Sequence, residues 1–252
     1  MLNPICRWRR VRHGRRDWHC HGAFSCARAC GVGTIDQLQI CRTRRRTGAA
    51  RIMTARLHFT AGMSVGLFGG SFDPPHAGHR LVSLTALKAL QLDRIWWLVS
   101  PQNPLKKHAP KDSAARVAAC RSLAGHPKIF VSDEETRLGT QYAIDTVRRL
   151  KAANPGVRFI WLMGSDNLAG LHKWKFWDEL MSEIPVAIYP RPGSTLQAGI
   201  SPAAMRFAPW RKPANAAASF RFAQAPAWIM LDGVLSGLSS SALRHHRGKH
   251  GN

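Results

Sequence analysis

The chain has 252 residues and carries 37 lysines and arginines against 14 acidic residues, a formal net charge of +23 at pH 7. Hydrophobic residues make up 45% of it, which is typical of a globular core and excludes wholesale disorder. No apolar run reaches the roughly 20 residues that cross a bilayer, so no membrane partner is expected. The charge alone would suggest a polyanionic partner such as nucleic acid.

Arginine and cysteine are concentrated in the first quarter of the chain. Residues 1–62 hold 13 arginines, no lysine and two acids, which gives +11, and they hold five of the six cysteines. The remaining 24 basic and 12 acidic residues give +12 for residues 63–252. Because Cys120 is the one cysteine in that larger part, a disulfide framework is excluded there and a reducing, cytoplasmic compartment is expected.

Three interpretations of residues 1–62 stay open. The leading one is an arginine-rich, disordered extension with the true start at Met53 or Met63, since no hydrophobic period predicts a buried face. A targeting segment or a nucleic-acid-binding tail is the second. A metal site on the cysteines and histidines between residues 19 and 30 is the third, although no C-x2-C pair supports it.

From residue 63 onward, strand and helix patterns alternate and form a predicted nucleotidyltransferase domain, residues 63–252. Apolar segments predict strands at 63–69, 94–99, 128–131, 157–163, 186–189 and 228–231. Helices are expected at 76–90, 113–123, 142–152, 178–182 and 239–247. Residues 190–226 show little period and predict a loop or a partly ordered insertion. This alternation predicts an α/β fold, a doubly wound parallel sheet of Rossmann-like type, with ligands beyond the carboxyl ends of its strands.

The segment Gly69–His79 joins the first predicted strand to the first predicted helix. Gly69 and Gly70 allow backbone to approach an anion closely, and the helix start directs unsatisfied N–H groups toward it. His76 and His79 lie on one side of the first turn, where they can donate hydrogen bonds to phosphate oxygens. A polar helix cap or half of a metal site is the alternative interpretation, and neither the P-loop nor the dinucleotide fingerprint fits.

The residues Gly-Gly-Ser-Phe-Asp-Pro-Pro-His-Ala-Gly-His at 69–79 resemble the signature G-G-[ST]-F-D-P-x-H-x-G-H of the bacterial nicotinate-nucleotide adenylyltransferases, within the H-x-G-H nucleotidyltransferase superfamily. Residues 101–106 are similar to that family's P-x-N-P-L-K, 164–166 to its G-x-D and 238–244 to its I-S-S-T-x-I-R. The resemblance spans essentially residues 64–247. It implies transfer of the adenylyl group of ATP to nicotinate mononucleotide, which gives nicotinate adenine dinucleotide and pyrophosphate in NAD biosynthesis.

The resemblance also implies roles for individual residues. His76 and His79 would be the catalytic donors to the α-phosphate. ATP and its phosphates would be bound by Gly69, Gly70, Ser71, Phe72, Lys106, Gly164, Asp166, Ser239, Ser240, Ser241 and Arg244. The nicotinate nucleotide would lie against Tyr142, Ala143, Trp174 and Lys175, with the tryptophan stacked on the pyridine. Mg²⁺ would accompany ATP, and no protein metal site is expected.

One position departs from the family pattern. Ala143 stands where a threonine is usual, so a hydroxyl expected near the nicotinate is missing and nicotinamide mononucleotide or another phosphate ester stays open as the acceptor. A different class also stays open, namely an arginine-rich nucleic-acid-binding protein on an inactive fold. The basic charge of residues 63–252 suits two anionic substrates, so it does not require nucleic acid as a partner.

Overall fold

The computed structural model describes residues 59–101, 112–234 and 240, together with the short pairs 7–8 and 18–19. The chain divides into two units, Met1–Leu57 and His58–Asn252. In the first unit, β1 (Arg7–Trp8) pairs antiparallel with β2 (Trp18–His19). Most of residues 1–62 fall outside the described part, and the three interpretations of that segment stay predictions.

The second unit alternates strands and helices. Its strands are β3 (Ser64–Gly70), β4 (Arg94–Val99), β5 (Ile129–Ser132), β6 (Arg158–Gly164), β7 (Val186–Tyr189), β8 (Arg211–Lys212) and β9 (Trp228–Met230). Its helices are α1 (Ala77–Ala89), α2 (Ser113–Ala124), α3 (Glu134–Leu138), α4 (Ala143–Ala153), α5 (Ser165–Gly170), α6 (Trp177–Glu183), α7 (Thr195–Gly199), α8 (Pro202–Arg206) and α9 (Ala217–Phe220). None of these described helices is long and apolar enough to cross a membrane.

The seven strands form one sheet in the order β5-β4-β3-β6-β7-β9-β8, and every neighbouring pair is parallel. Strands β4 and β5 lie on one side of β3, and β6 lies on its other side. The strand order therefore reverses between β3 and β6. This arrangement confirms the predicted doubly wound α/β fold. Ligands bind such sheets at the reversal point.

The register brings the ends of the two central strands to the same level. Phe68 pairs with Leu162, so Gly70 and Gly164, each two residues further along, lie side by side at the carboxyl edge. The central strands are buried at successive positions. Successive side chains of a strand point to opposite faces, so both faces of the sheet are covered.

The folded unit begins before residue 63. The Phe59 ring lies 5.2 Å from the Trp96 ring and 6.1 Å from the Phe159 ring, measured between centroids. The Gly62 N–H donates to the Gly156 carbonyl at 2.8 Å. Residues 59–62 therefore pack on the sheet and belong to the second unit.

Residues 190–226 correct one expectation. They form the short helices α7, α8 and α9 and the edge strand β8 instead of a loop. Each helix is only four or five residues long, too short for a period of 3.6 to show in the sequence. Tertiary packing supports them, because α7 packs on α5 and Ala198, Ala203, Ala204 and Phe220 are buried.

Candidate active site

The two predicted catalytic histidines lie at the start of α1, directly after the loop that follows β3. His76 is the N-cap residue, with φ −146° and ψ 165°, and α1 begins at Ala77. The backbone N–H of His76 donates to Nδ1 of His79 at 3.1 Å. Because Nδ1 of His79 accepts this bond, the proton of its neutral imidazole is on Nε2.

The His76 ring is buried and lacks hydrogen-bond partners. The residue is 6% exposed, and within the described part of the chain neither of its ring nitrogens has a partner. Its centroid lies 3.9 Å from that of His79. Buried polar atoms are nearly always hydrogen-bonded, so the two unpartnered nitrogens make His76 a candidate position for contact with a polar ligand.

Burial, the largest cause, and the Arg191 guanidinium together lower the pKa of His76 to about 4, although the Asp166 carboxylate opposes the shift. At pH 7 the ring is therefore neutral. A neutral imidazole donates one N–H and accepts at its other nitrogen. His76, Asp166 and Arg191 follow the carboxyl ends of β3, β6 and β7, and the last two form an ion pair at 3.4 Å.

Phe72 anchors the loop between β3 and α1. Its backbone is left-handed, with φ 44°, a conformation that is unfavourable by about 1–2 kcal/mol for a residue with a side chain. The ring is 1% exposed and stacks on Trp97, with centroids 5.1 Å apart and an interplanar angle of 11°. Burial of an aromatic ring on this scale contributes about 2–3 kcal/mol, which offsets the backbone strain.

Two consecutive hydrogen bonds link the first turn of α1 to β4. The indole N–H of Trp97 donates to the Ser83 hydroxyl at 2.8 Å, and that hydroxyl donates to the His79 carbonyl at 2.9 Å. Ser83 and Trp97 are completely buried. The backbone of His79 is thus tied to β4, the neighbouring strand, as well as to its own helix.

At the end of β6, Gly164 is followed two residues later by Asp166, as the G-x-D pattern predicted. A Cβ atom on Gly164 would lie 2.3 Å from Oδ1 of Asp166 and 2.8 Å from Nε of Arg191. The carboxylate folds back over this glycine and pairs with Nε of Arg191 at 3.4 Å. The glycine is required because a larger residue would displace both charged groups.

Arg191 is a site residue that the sequence reasoning missed. It follows β7, and its backbone N–H donates to the Ser165 hydroxyl at 2.9 Å. Its side chain is 18% exposed. The signal in the sequence is its position two residues after the predicted strand 186–189, but the weak periodicity of residues 190–226 gives this arginine no predicted role.

Ser240, in the carboxyl-terminal serine segment (residues 239–241), contacts the histidine loop, which is the segment 71–76 between β3 and α1. The Ser240 hydroxyl donates to the Pro74 carbonyl at 3.0 Å. Before it, the Tyr189 hydroxyl donates to the Val234 carbonyl, which directs the chain across the end of β7. The other predicted phosphate ligands, Lys106, Ser239, Ser241 and Arg244, lie outside the described residues, and their roles stay predictions.

Two of the predicted nicotinate-binding residues meet at the start of α4. The ammonium of Lys175 lies 5.1 Å from the ring centroids of both Tyr142 and Phe176, and these two rings are 5.5 Å apart, edge to face. Ala143 is the first residue of α4, and Trp174 follows a short 3-10 helix, half-buried. Phe176, 39% exposed with φ 59°, was not predicted.

Comparison with known proteins identifies the family. The Cytidylyltransferase-like family matches residues 67–246. A protein of Caulobacter sp. (strain K31) named "Probable nicotinate-nucleotide adenylyltransferase" is 53% identical over 188 residues, 74% of this chain and 100% of the relative. The chain belongs to the nicotinate-nucleotide adenylyltransferases. A relative of the same name from Cereibacter sphaeroides (strain ATCC 17025 / ATH 2.4.3) is 50% identical over 182 residues, 72% of this chain and 97% of the relative.

Solved structures agree with this family at the level of the fold. The Plasmodium falciparum nicotinic acid mononucleotide adenylyltransferase complexed with APC superposes with a TM-score of 0.55 at 19% identity, over 73% of this chain and 83% of that one. The same enzyme complexed with NaAD gives a TM-score of 0.54 at 20% identity, over 72% and 82%. The resemblance to the nicotinate-nucleotide adenylyltransferases that residues 69–79 carried is confirmed.

Proposed function

We propose that this adenylyltransferase joins ATP to nicotinate mononucleotide, giving nicotinate adenine dinucleotide and pyrophosphate, as a step of NAD biosynthesis. The observation that carries the proposal is the buried pair His76 and His79 at the start of α1, at the point where the strand order reverses. An arrangement of helix N–H groups and imidazoles there suits the phosphates of two anionic substrates.

The reaction is an in-line displacement at the α-phosphorus of ATP. A phosphate oxygen of the mononucleotide forms the new P–O bond, and the bond to pyrophosphate breaks. No enzyme nucleophile is needed, because the acceptor attacks directly. The protein's contribution is to align two polyanions and to stabilise the charge that develops between them.

The two histidines would act as neutral hydrogen-bond donors to the α-phosphate. The pKa of His76, lowered to about 4 by burial, keeps its ring uncharged, so it contributes a directed N–H and no net charge. His79 presents Nε2–H, since its Nδ1 accepts the His76 backbone N–H. The start of α1 adds the positive end of the helix dipole, and its first turn contains no acidic residue.

Asp166 would bind the ribose of the adenylate, with Arg191 as the cation that holds its carboxylate. Ser239, Ser240, Ser241 and Arg244 would bind the departing pyrophosphate. The contact of Ser240 with Pro74 supports this assignment, because it places one serine of that segment against the histidine loop. Lys106 would bind phosphate from the loop after β4, together with the backbone of Gly69 to Phe72.

The acceptor base would lie near Tyr142, Lys175 and Phe176, with Trp174 stacked on the pyridine. A lysine held over two aromatic rings offers a positive charge that favours a carboxylate over an amide. Backbone N–H groups at the start of α4 can replace the hydroxyl that Ala143 lacks. This charge supports nicotinate mononucleotide over nicotinamide mononucleotide.

Mg²⁺ would enter with ATP. Among the residues that the structure describes, no group of three or more histidine, cysteine, aspartate or glutamate side chains could hold a metal ion. A magnesium ion bound with a nucleotide would need only one or two protein ligands. It would supply charge neutralisation on the triphosphate.

We also propose that residues 1–57 are dispensable for this chemistry and that the enzyme acts in the cytoplasm. Among the described residues, those that interact with the histidine pair belong to the second unit. Cys120 is buried, and burial raises its pKa to about 12, so its thiol is inert.

A pyrophosphate-release assay across acceptors tests the proposal. Full-length protein would be mixed with ATP and Mg²⁺ and then with nicotinate mononucleotide, nicotinamide mononucleotide or phosphopantetheine. We expect the highest kcat/KM with nicotinate mononucleotide. Preference for either other acceptor would replace the proposed substrate, and salt-dependent DNA binding without pyrophosphate release would favour the nucleic-acid-binding alternative.

A further inference from the structure

Arg116 is a buried cation in helix α2 that none of the assigned roles uses. The residue is 3% exposed. Its guanidinium donates three hydrogen bonds to backbone carbonyls: Nη1 to Ser71 at 2.7 Å and to Ser100 at 2.8 Å, and Nη2 to Pro101 at 3.2 Å. Because these carbonyls engage its guanidinium, we expect any effect of Arg116 on the reaction to pass through them.

The three carbonyls belong to two different loops. Ser71 opens the loop that follows β3 and leads to the histidines, whereas Ser100 and Pro101 open the loop that follows β4. The Ser100 N–H donates to the Gly70 carbonyl at 3.0 Å. The Arg116 guanidinium adds a second link between the two loops, through the side chain of a third segment.

The chemistry of the guanidinium explains why an arginine is suited to this place. A planar fork with five N–H donors reaches several carbonyls at fixed angles, whereas a lysine ammonium is a single point of charge. Burial lowers the pKa of Arg116, and the Asp73 carboxylate of the histidine loop opposes that shift. Burial of a cation is unfavourable unless its hydrogen-bond donors are satisfied. The loop carbonyls therefore hold the Arg116 guanidinium in one orientation, and the guanidinium holds the two loops at a fixed separation.

We propose that Arg116 is a positioning residue for adenylyl transfer, which sets the spacing between the histidine loop and the loop that begins at Ser100. This inference rests on the proposed function. Through Ser71 it holds the loop that places His76 and His79. Through Ser100 and Pro101 it holds the two residues that directly follow β4.

The test compares Arg116→Lys and Arg116→Met with Arg121→Lys and Arg121→Met. Arg121 lies on the same helix, is exposed, and donates to the Val131 carbonyl at 3.4 Å, so it controls for loss of an arginine from α2. Each full-length variant would be assayed by pyrophosphate release at a temperature well below its own Tm. The kinetic constants kcat and KM would be measured for ATP and for nicotinate mononucleotide.

For Arg116→Met we expect kcat to fall by about 10²-fold, the usual scale for a displacement near 1 Å at a reacting centre, with a smaller change in KM. Arg116→Lys should keep the charge but lose the fork and fall by roughly tenfold or more on the same scale. If a variant has a lower Tm but wild-type kcat at temperatures below that Tm, the role of Arg116 is purely structural and the proposal is overturned.

If Arg116→Met does not fold, Arg116→Lys decides: wild-type kcat and KM in that variant overturn the proposal. An equal loss in the Arg121 variants also overturns it, because the effect would not be specific to the loop contacts. Failure of the proposed function is a separate result. It would appear as wild-type protein that shows no turnover with any acceptor. That result would overturn both the proposed function and the positioning role of Arg116.

Discussion

Gly164→Ala should damage the active site while leaving the fold intact. The new Cβ atom would lie 2.3 Å from Oδ1 of Asp166 and 2.8 Å from Nε of Arg191. An ordinary contact begins at 3.4 Å, so the carboxylate must move by 3.4 − 2.3 = 1.1 Å or more. Both side chains reach solvent, with exposed fractions of 47% for Asp166 and 18% for Arg191, so they can swing away without disturbing the core.

A displacement of this size should lower kcat/KM for ATP by about 10²-fold, because misplacement by roughly 1 Å is typically worth that much in rate. The Tm should change by only about 2–4 °C, the shift expected for 1 kcal/mol in a domain of this size. Pyrophosphate release and a thermal melt on the same preparation measure the two effects.

Gly170→Ala is the matched control. Gly170 ends the same helix α5, and no atom lies within 4 Å of its added Cβ. We expect wild-type kinetics and equal or slightly higher stability, since alanine restricts the unfolded chain. Wild-type kcat/KM in Gly164→Ala would show that the position of Asp166 does not matter and would refute the reasoning about the G-x-D turn.

Two further predictions concern stability. The pKa of His76 is about 4 in the folded protein and near 6.5 in the unfolded chain. Between these two values the unfolded chain binds more protons than the folded protein. The stability that His76 contributes is therefore complete above pH 6.5 and falls toward pH 4, by at most about 1.4 kcal/mol per pH unit. Urea titrations of wild type and His76→Asn should diverge in that window, and parallel curves would contradict the neutral buried ring. Phe59→Ala should lose about 1–2 kcal/mol from its contacts with Trp96 and Phe159, a Tm decrease of roughly 2–8 °C. An unchanged Tm would mean that the folded unit begins after that residue.

The central sheet was predictable because its strands are continuous apolar runs. Residues 94–99 and 186–189 were predicted with the bounds that β4 and β7 have, since burial on both faces leaves no polar position to blur the pattern. The short helices α3, α5, α7, α8 and α9 were not predicted. They have one turn or little more, and their stability comes from packing that no local pattern records.

The site divides in the same way. Two compact motifs could be read from the sequence. One contains His76 and His79, and the other contains Gly164 and Asp166. Arg191 is distant in sequence from its partner Asp166, and only the parallel pairing of β6 with β7 brings them together.

Arg116 shows a different limit of sequence reasoning. An arginine in an alanine-rich helix, such as either of the two in α2, is typical of a solvated face. Its burial follows from the position of α2 beside the ends of β3 and β4, which only the folded chain shows.

The turnover of a His79 variant tests the histidine mechanism most directly. His79→Ala removes the imidazole, and His79→Asn keeps an acceptor for the His76 N–H while removing Nε2–H. His126→Ala is the control, since His126 precedes β5 at the opposite edge of the sheet. With ATP and nicotinate mononucleotide, we expect kcat to fall by roughly 10²–10⁴-fold in both His79 variants and to be unchanged in the control. Near-wild-type kcat in folded His79→Ala would contradict catalysis by the histidine pair.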